Sequence, residues 1–373
     1  MKKTSRQTHI PAKKLWLKLP WLLLIPLGFL LPQLAATSPW AVERWFSRGI
    51  FPVINGALGR FFGLFPFSVA EWLLYILAVG IPLLIIVQLI RWFLKKIHWS
   101  RILNLFLSLA IAAGAMLNFF YLAWGFNYSR PSTAELLGLN VTERPVEQLS
   151  TLCFSLAEEA VKLREQVAED ENGVFTLPEG YRHYFKKIPT AFESLGKEYP
   201  LLSRHTPVAK GVIAGSKGLS YAGISGIFIP FTAEPNVNID QTPLLLLSAA
   251  AHETAHYLGI APENGANFVS YLACSHSEDP AIAYSGIMLA LIHSGNKLYS
   301  VDEDAYRKLY RSYSDGMKRD LSAHSAYWDA FEGPIEETMT KVNDSYLKHN
   351  QQDSGVQSYG EMVDLLLAYY FGR

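Results

Sequence analysis

Hydrophobic positions fall into two regimes along this 373-residue chain. In the first third they form long unbroken runs. Leu19 to Ala36 is apolar apart from Gln33, and neither Trp72 to Ile90 nor Ile102 to Trp124 contains a charge. Each run is long enough to cross a hydrocarbon core of about 30 Å, so three transmembrane helices are expected. Pro20, Pro26 and Pro32 interrupt the first of them, which predicts an irregular helix there. After Trp124 the pattern changes to helical periodicity. Leu152, Leu156, Ala160, Leu163 and Val167 repeat at three and four residues, with Glu158, Glu159, Lys162, Arg164 and Glu165 on the opposite face, as in an amphipathic helix. Further helices are expected over Ala281 to Leu298, Glu303 to Leu321, Ile335 to Lys348 and Tyr359 to Tyr370. Gly218 to Ile239 is rich in glycine and β-branched residues and contains Pro230, which predicts an edge strand or a hairpin. The expected class is therefore α+β, mostly helical with a small sheet. Its expected division is a cytoplasmic segment (1–18), a membrane domain (19–124) and a folded domain (125–373).

The basic residues orient the spans. Lys2, Lys3, Arg6, Lys13, Lys14 and Lys18 precede the first run, and Arg91, Lys95, Lys96 and Arg101 lie between the second and third. The longer first loop has only Arg44, Arg48 and Arg60, offset by Glu43 and Glu71. By the positive-inside rule the N-terminus is cytoplasmic and everything after Trp124 is extracytoplasmic, in the cell membrane. A cleaved signal peptide is the competing reading of the first run, but Pro32 to Pro39 is a poor cleavage site and two spans would remain. Phe51 to Phe67, rich in aromatics and glycine, suits a segment lying in the membrane interface. Lys and Arg balance Asp and Glu at 33 each, and no basic cluster is interleaved with aromatics in the part after Trp124, which argues against nucleic acid as a partner. Cys153 and Cys274 are the only cysteines; their helical patterns point each into its own core and favour two unpaired thiols over a disulfide.

The candidate chemistry sits in Leu244-Leu-Leu-Leu-Ser-Ala-Ala-Ala-His252-Glu253-Thr-Ala-His256-Tyr-Leu-Gly259. On a helix, histidines four apart stand on one face and can share a metal ion. Zinc suits the pair, since it takes nitrogen and carboxylate ligands and in catalytic sites keeps a position for water. Glu253 would stand beside that water as general base. The run before His252 is apolar apart from Ser248, so a buried helix is expected, in which two imidazoles and a carboxylate need compensation.

A third ligand is sought just downstream. Gly259 can end the helix in a left-handed turn. The metzincin spacing would put the ligand at Pro262, which cannot ligate, and Glu263 follows it. Glu263 and Asn267 also match the Glu-x-x-x-Asp arrangement of thermolysin-like enzymes. In that reading Glu263 binds zinc and Asn267 supports an imidazole from behind. His276, Glu278 and Asp279 are the alternatives, and Glu263 could instead simply favour a helix N-terminus. Tyr284, His293 and Tyr359 are candidates by residue type for sharing an oxyanion charge.

With these residues in view, the chain resembles the bacterial membrane-protein family called domain of unknown function 3810. The resemblance runs through Trp124-Gly-Phe-Asn-Tyr128, Pro230-Phe-Thr-Ala-Glu-Pro-Asn-Val-Asn238, the His252 to Gly259 motif, Ala266-Asn-Phe-Val-Ser-Tyr-Leu-Ala-Cys274, Tyr284-Ser-Gly286 and Ser358-Tyr-Gly360. It implies a zincin-like domain after the three transmembrane helices and supplies no substrate. Gly265 departs from the family, which tends to carry an acid there. The expected function is a membrane-anchored, zinc-dependent metallopeptidase acting on a peptide or cell-envelope substrate, with the lipid bilayer as its other partner. The alternative is a catalytically silent, metal-binding envelope scaffold. A small transporter is disfavoured by the absence of charge inside the spans.

Overall fold

The computed structural model describes residues 9–372, apart from the side chain of Tyr359; Lys2, Lys3 and Arg6, used above for orientation, lie outside them. Among the described residues, three helical stretches are long and apolar enough to cross a membrane: Ala12–Ala36, Val69–Phe93 and Trp99–Ala123. The first is irregular, as its prolines require. A tight turn over Leu19–Leu23 leads into α1 (Leu24–Ala36), which carries Pro32 internally. The chain then forms a wide π-helical stretch, Val42–Ile50, and α2 (Phe51–Gly63), followed by α3 (Val69–Phe93) and α4 (Trp99–Ala123). The beginning of the first stretch lies beside the beginning of α4, where Ile10 donates its N–H to Ser100 Oγ at 3.0 Å. Nearer the other end Asn118 of α4 donates to the carbonyl of Leu24 at 2.6 Å.

Phe51 to Phe67 is expected in the membrane interface, but one face of residues 42–63 is part of the folded core. Phe51 is 0% exposed, and Glu43, Phe46, Ser47 and Asn55 are buried with it. The other face leaves Phe61 exposed, followed by Leu64, Phe65 and Phe67 in the turn before α3.

The C-terminal part is mostly helical around a three-stranded sheet. An amphipathic helix, α5 (Val146–Arg164), precedes β1 (Lys210–Val212), β2 (Gly226–Ile229) and β3 (Glu234–Asn238). The order is β1-β3-β2, with β1 parallel and β2 antiparallel to β3. The expected hairpin is thus β2–β3, and β2 is an edge strand; Pro230 sits in the turn between them, where no ladder hydrogen bond is lost. Three packed helices follow, α6 (Pro243–Tyr257), α7 (Glu263–Ser275) and α8 (Pro280–Val301), then α9 (Asp315–Asp329), α10 (Pro334–His349) and α11 (Met362–Phe371). The single helix expected over Glu303 to Leu321 is broken in two. One helix ends at Ser312, and Ser314 caps α9 by accepting the N–H of Met317, an alternative that serine offers the backbone. Cys153 and Cys274 are both buried and unbonded.

Two carboxylates tie the sheet to the start of α3. Glu234 of β3 accepts the free N–H groups of Val69 and Ala70 at 3.1 and 2.8 Å, where the helix dipole favours a negative charge. Glu71 of α3 in turn accepts the N–H groups of Ile213, Ala214 and Gly215 after β1 at 2.8–3.0 Å.

The far end of α6 is held still more closely. Gly259 adopts φ 86°, and the N–H groups of Ile260 and Gly259 return to the carbonyls of Ala255 and His256 at 3.1 and 2.9 Å. These are the paired bonds of a Schellman ending, which needs a left-handed residue at that place. The next carbonyls receive side chains from distant segments. Trp124 Nε1 donates to the His256 carbonyl at 2.8 Å, Asn55 to Tyr257 at 2.9 Å, Arg204 to Leu258, and Arg130 to Gly259 at 2.7 Å. Arg130 is itself paired with buried Glu43 at 2.7 Å.

Removing one partner of a buried ion pair costs about 3–5 kcal/mol, because the other charge is left unpaired. Glu43→Ala is therefore expected to lower the melting temperature of the detergent-solubilised protein sharply. Asn55→Ala, which removes one neutral hydrogen bond, should cost about 1 kcal/mol. Equal melting of the two variants would show that the Arg130–Glu43 pair does not carry this end of the fold.

Candidate metal centre

α6 is apolar on nearly all sides and is buried between the sheet, α7 and α8, so His252, Glu253 and His256 have protein around them rather than solvent. The turn at Gly259 reverses the chain, Pro262 takes the N-cap position, and Glu263 opens α7. Glu263 thereby returns to the histidines. Its Oε2 lies 3.1 Å from His252 Nε2 and 3.6 Å from His256 Nε2. Ligand atoms about 2.0–2.1 Å from one tetrahedral zinc would be roughly 3.3 Å apart, and the observed pair of distances brackets that figure. Among the described residues, these three form the one group with metal-ligand spacing.

The second ring nitrogens define what the first ones offer. His256 Nδ1 is 2.7 Å from the carbonyl of Ile260, which can only accept, so Nδ1 carries the proton and Nε2 presents a lone pair. His252 Nδ1 is 2.7 Å from Asn267 Oδ1 and is placed in the same way. Two lone pairs and a carboxylate oxygen thus converge on one point, an arrangement that is repulsive until a cation fills it. In the metal-free state the cation is a proton. Burial disfavours charge on His256, but facing Glu263 outweighs it and raises the imidazole to about 9. Burial would likewise raise Glu263, yet the two imidazoles hold it well below the usual carboxylate range.

Glu253 points the other way around the helix, toward β2. Burial pushes its carboxyl up, against the opposing pull of His252 and His256, and the N–H of Phe228 is bonded to it. Its Oε2 is buried with no partner, an arrangement that is costly unless something binds there. A side chain at Gly226 would collide with it, since a Cβ there would lie 2.6 Å from Glu253 Oε1. A cavity of about 740 Å³ opens over His252, Glu253, His256 and Glu263, with β2 on one side and α10 on the other.

Of the other expected residues, His293 lines this cavity. Tyr284 does not: its hydroxyl is spent on Asp320 at 2.7 Å in a fully buried cluster with Arg164, so it is a core residue. Tyr359 has its side chain outside the described residues. His276 bonds Glu198, and Asp279 caps α8 and pairs with Lys187; neither they nor Glu278 belong to the His252 group. Tyr128, Tyr346 and His324 line the cavity and were not anticipated. They lie far from the motif in the chain and share no spacing with it.

The chain matches the family described as protein of unknown function (DUF3810) over residues 46–367. It belongs to that family. No curated protein and no solved structure matches it. The family stretch takes in α2 and every residue of the candidate centre. Gly265 is tightly packed in this chain. A Cβ at that position would lie 2.0 Å from Thr133 Oγ1 and 3.1 Å from Ile260 Cγ2, so a side chain there would be aimed into the packing against residue 133 and away from the histidine pair.

The cavity wall supplies a pH test. Burial lowers His324 to about 4, and its Nδ1 is 2.9 Å from Thr242 Oγ1. Below about pH 6.5 the unfolded chain binds a proton at this residue, whereas the folded chain does not until about 4. Its contribution is complete above the unfolded value and is lost as pH falls across that window. The melting temperature of wild type relative to His324→Asn should therefore drop between pH 6.5 and 4, by the equivalent of about 2 kcal/mol. A constant difference across the window would mean that His324 is not buried neutral.

Proposed function

We propose that this protein is a membrane-anchored, zinc-dependent metallopeptidase with its site on the extracytoplasmic face. The observation that carries the reading is the meeting of His252 Nε2, His256 Nε2 and Glu263 Oε2 beneath an open cavity that also receives the unpartnered Oε2 of Glu253. A metallopeptidase needs three protein ligands, a place for water and a base beside it. The zincin-like reading of the domain is supported by the edge strand beside the motif helix. The three apolar helices support the anchor, and the sheet lies at the opposite ends of α3 and α4 from Arg91, Lys95, Lys96 and Arg101, in keeping with an outside location.

Zinc in this site would polarise the scissile carbonyl and make water acidic enough to attack near neutral pH. The chain's own residues do the rest. Asn267 and the Ile260 carbonyl hold the Nδ1 protons and keep both Nε2 lone pairs directed inward. Glu253 takes a proton from the attacking water at Oε2 and returns it to the departing amine. Asn238 donates to the Ser225 carbonyl, so in antiparallel alternation Ile227 and Ile229 pair with β3 while Gly226 and Phe228 turn their backbone groups away from it, the Phe228 N–H toward Glu253 and the others to the edge. An extended substrate can pair with that edge as an added strand. His293 and Tyr346, both in the cavity wall, are the candidates for sharing the oxyanion charge. The scaffold alternative calls for a closed, four-ligand site, and the open cavity favours hydrolysis over it.

The test uses purified full-length protein. Wild type is expected to bind about one zinc per chain and to cleave peptides. Glu253→Gln should keep its zinc and lose turnover by about 100-fold or more, and His256→Ala should lose the metal. Undiminished turnover in Glu253→Gln, or a folded wild type that binds no zinc, would overturn the proposal.

A further inference from the structure

The walls of the cleft restrict what can occupy it. Among the described residues, Glu253 and Glu263 are the only acids that line it, and no lysine or arginine does. Both carboxylates are committed to the histidine pair and to the proposed chemistry. Burial lowers the imidazoles of His293 and His324 to about 4, so they are uncharged near neutrality. A free C-terminal carboxylate, or the acidic side chain of a cell-wall crosslink, would find no lysine or arginine here to receive it beside the metal position. A free N-terminal amine would find no uncommitted carboxylate. Desolvating either charge without a partner is costly. The remaining wall is apolar or neutral, with Ile227, Leu245, Leu289, Met339, Val342 and Trp328 prominent in it.

The cleft also lies against the apolar helices. Trp124, the residue after α4, lines it. Phe119 in the last turns of α4 stacks on Phe231 in the β2–β3 turn, with ring centroids 5.9 Å apart and planes at 22°. The first N–H groups of α3 are held by Glu234, opposite Ile229 of β2. The free strand edge is therefore at the level where two of the three apolar helices end.

We infer that the cleft takes an internal, uncharged, apolar stretch of polypeptide at the membrane surface, and neither free terminus of a chain. This rests on the hydrolytic reading of the same site. It accounts for three features at once: an open strand edge, an apolar wall without charges for termini, and a floor built from the end of an apolar helix.

The experiment uses full-length protein in zwitterionic lipid vesicles and ten-residue peptides. One set has blocked ends and six central apolar residues; a second carries Lys or Glu at two of those six; a third consists of free di- and tripeptides. Binding is read by fluorescence anisotropy on Glu253→Gln, and cleavage on wild type. The blocked apolar peptides are expected to bind at least tenfold more tightly than either other set, and an acyl tail should raise their turnover further. Equal or better binding of charged or free-ended peptides overturns the inference, and no gain from the tail overturns its membrane-surface part. Selective binding of apolar peptides with no cleavage by wild type overturns the hydrolytic reading while leaving the preference of the cleft in place.

Discussion

Four successive carbonyls at the end of α6 are held by side chains from four separate places in the chain, and the geometry of the centre follows from that. A helix ending normally leaves its last carbonyls to water. Here Trp124, Asn55, Arg204 and Arg130 take those of His256, Tyr257, Leu258 and Gly259 in turn. Two of the donors are guanidinium groups, which the negative end of the helix dipole favours. Burial, with their mutual repulsion added to it, lowers Arg204 to about 10. Glu43, paired with Arg130, offsets part of that repulsion. The same ending sets Gly259 in its left-handed turn, and that turn is what returns Glu263 to His252. Position at the centre is thus inherited from contacts outside it.

Some polar clusters in the core are closed. Arg164, Asp320 and Tyr284 form a closed cluster in which Asp320 also accepts the N–H of Phe175. The centre under α6 is different in kind. Two imidazole lone pairs face one carboxylate oxygen, and Glu253 leaves an oxygen unpartnered under the cavity. Two ring nitrogens and a carboxylate oxygen converging beneath an open cavity, with an unpartnered carboxylate oxygen beside them, mark that cavity as a place where something binds. The conflict is specific to a cation, since a neutral ligand would leave the lone pairs opposed.

How much of this was readable from the chain depended on distance along it. His252, Glu253 and His256 are joined by helical spacing, and Gly259, Glu263 and Asn267 follow within one turn and the start of the next helix. Local rules of helix ending and helix start therefore brought all six together. The edge strand was readable from Pro230 and its glycines, and the apolar stretches from length alone. Glu43, Asn55, Arg130 and Arg204 were not, because contacts between residues 54 to 202 positions apart in the chain have no periodicity of their own. Tyr284 illustrates the reverse case, a candidate by type whose plainer reading is a core residue. Residue type made it a candidate, and only the position of Asp320 showed its hydroxyl to be already used. The break at Ser314 was missed because an apolar pattern can continue across a cap.

Hydropathy divides the chain after Trp124, yet the core does not follow that line. Phe51 and Asn55 come from before the second apolar stretch and are as deeply buried as residues of the C-terminal helices. A segment of mixed aromatics and glycine looks interfacial by composition, because composition averages over its two faces. One face packs on the end of α6, and the other is left apolar and exposed. The segment therefore connects the apolar helices to the helix that bears His256, and Trp124 does the same from the other side. Severing the chain at 124 would remove three of the contacts that define the end of α6: Asn55, Trp124 itself, and Glu43, on which Arg130 depends. The centre and the apolar helices are in that sense a single construction, with the cleft opening along the line where they meet.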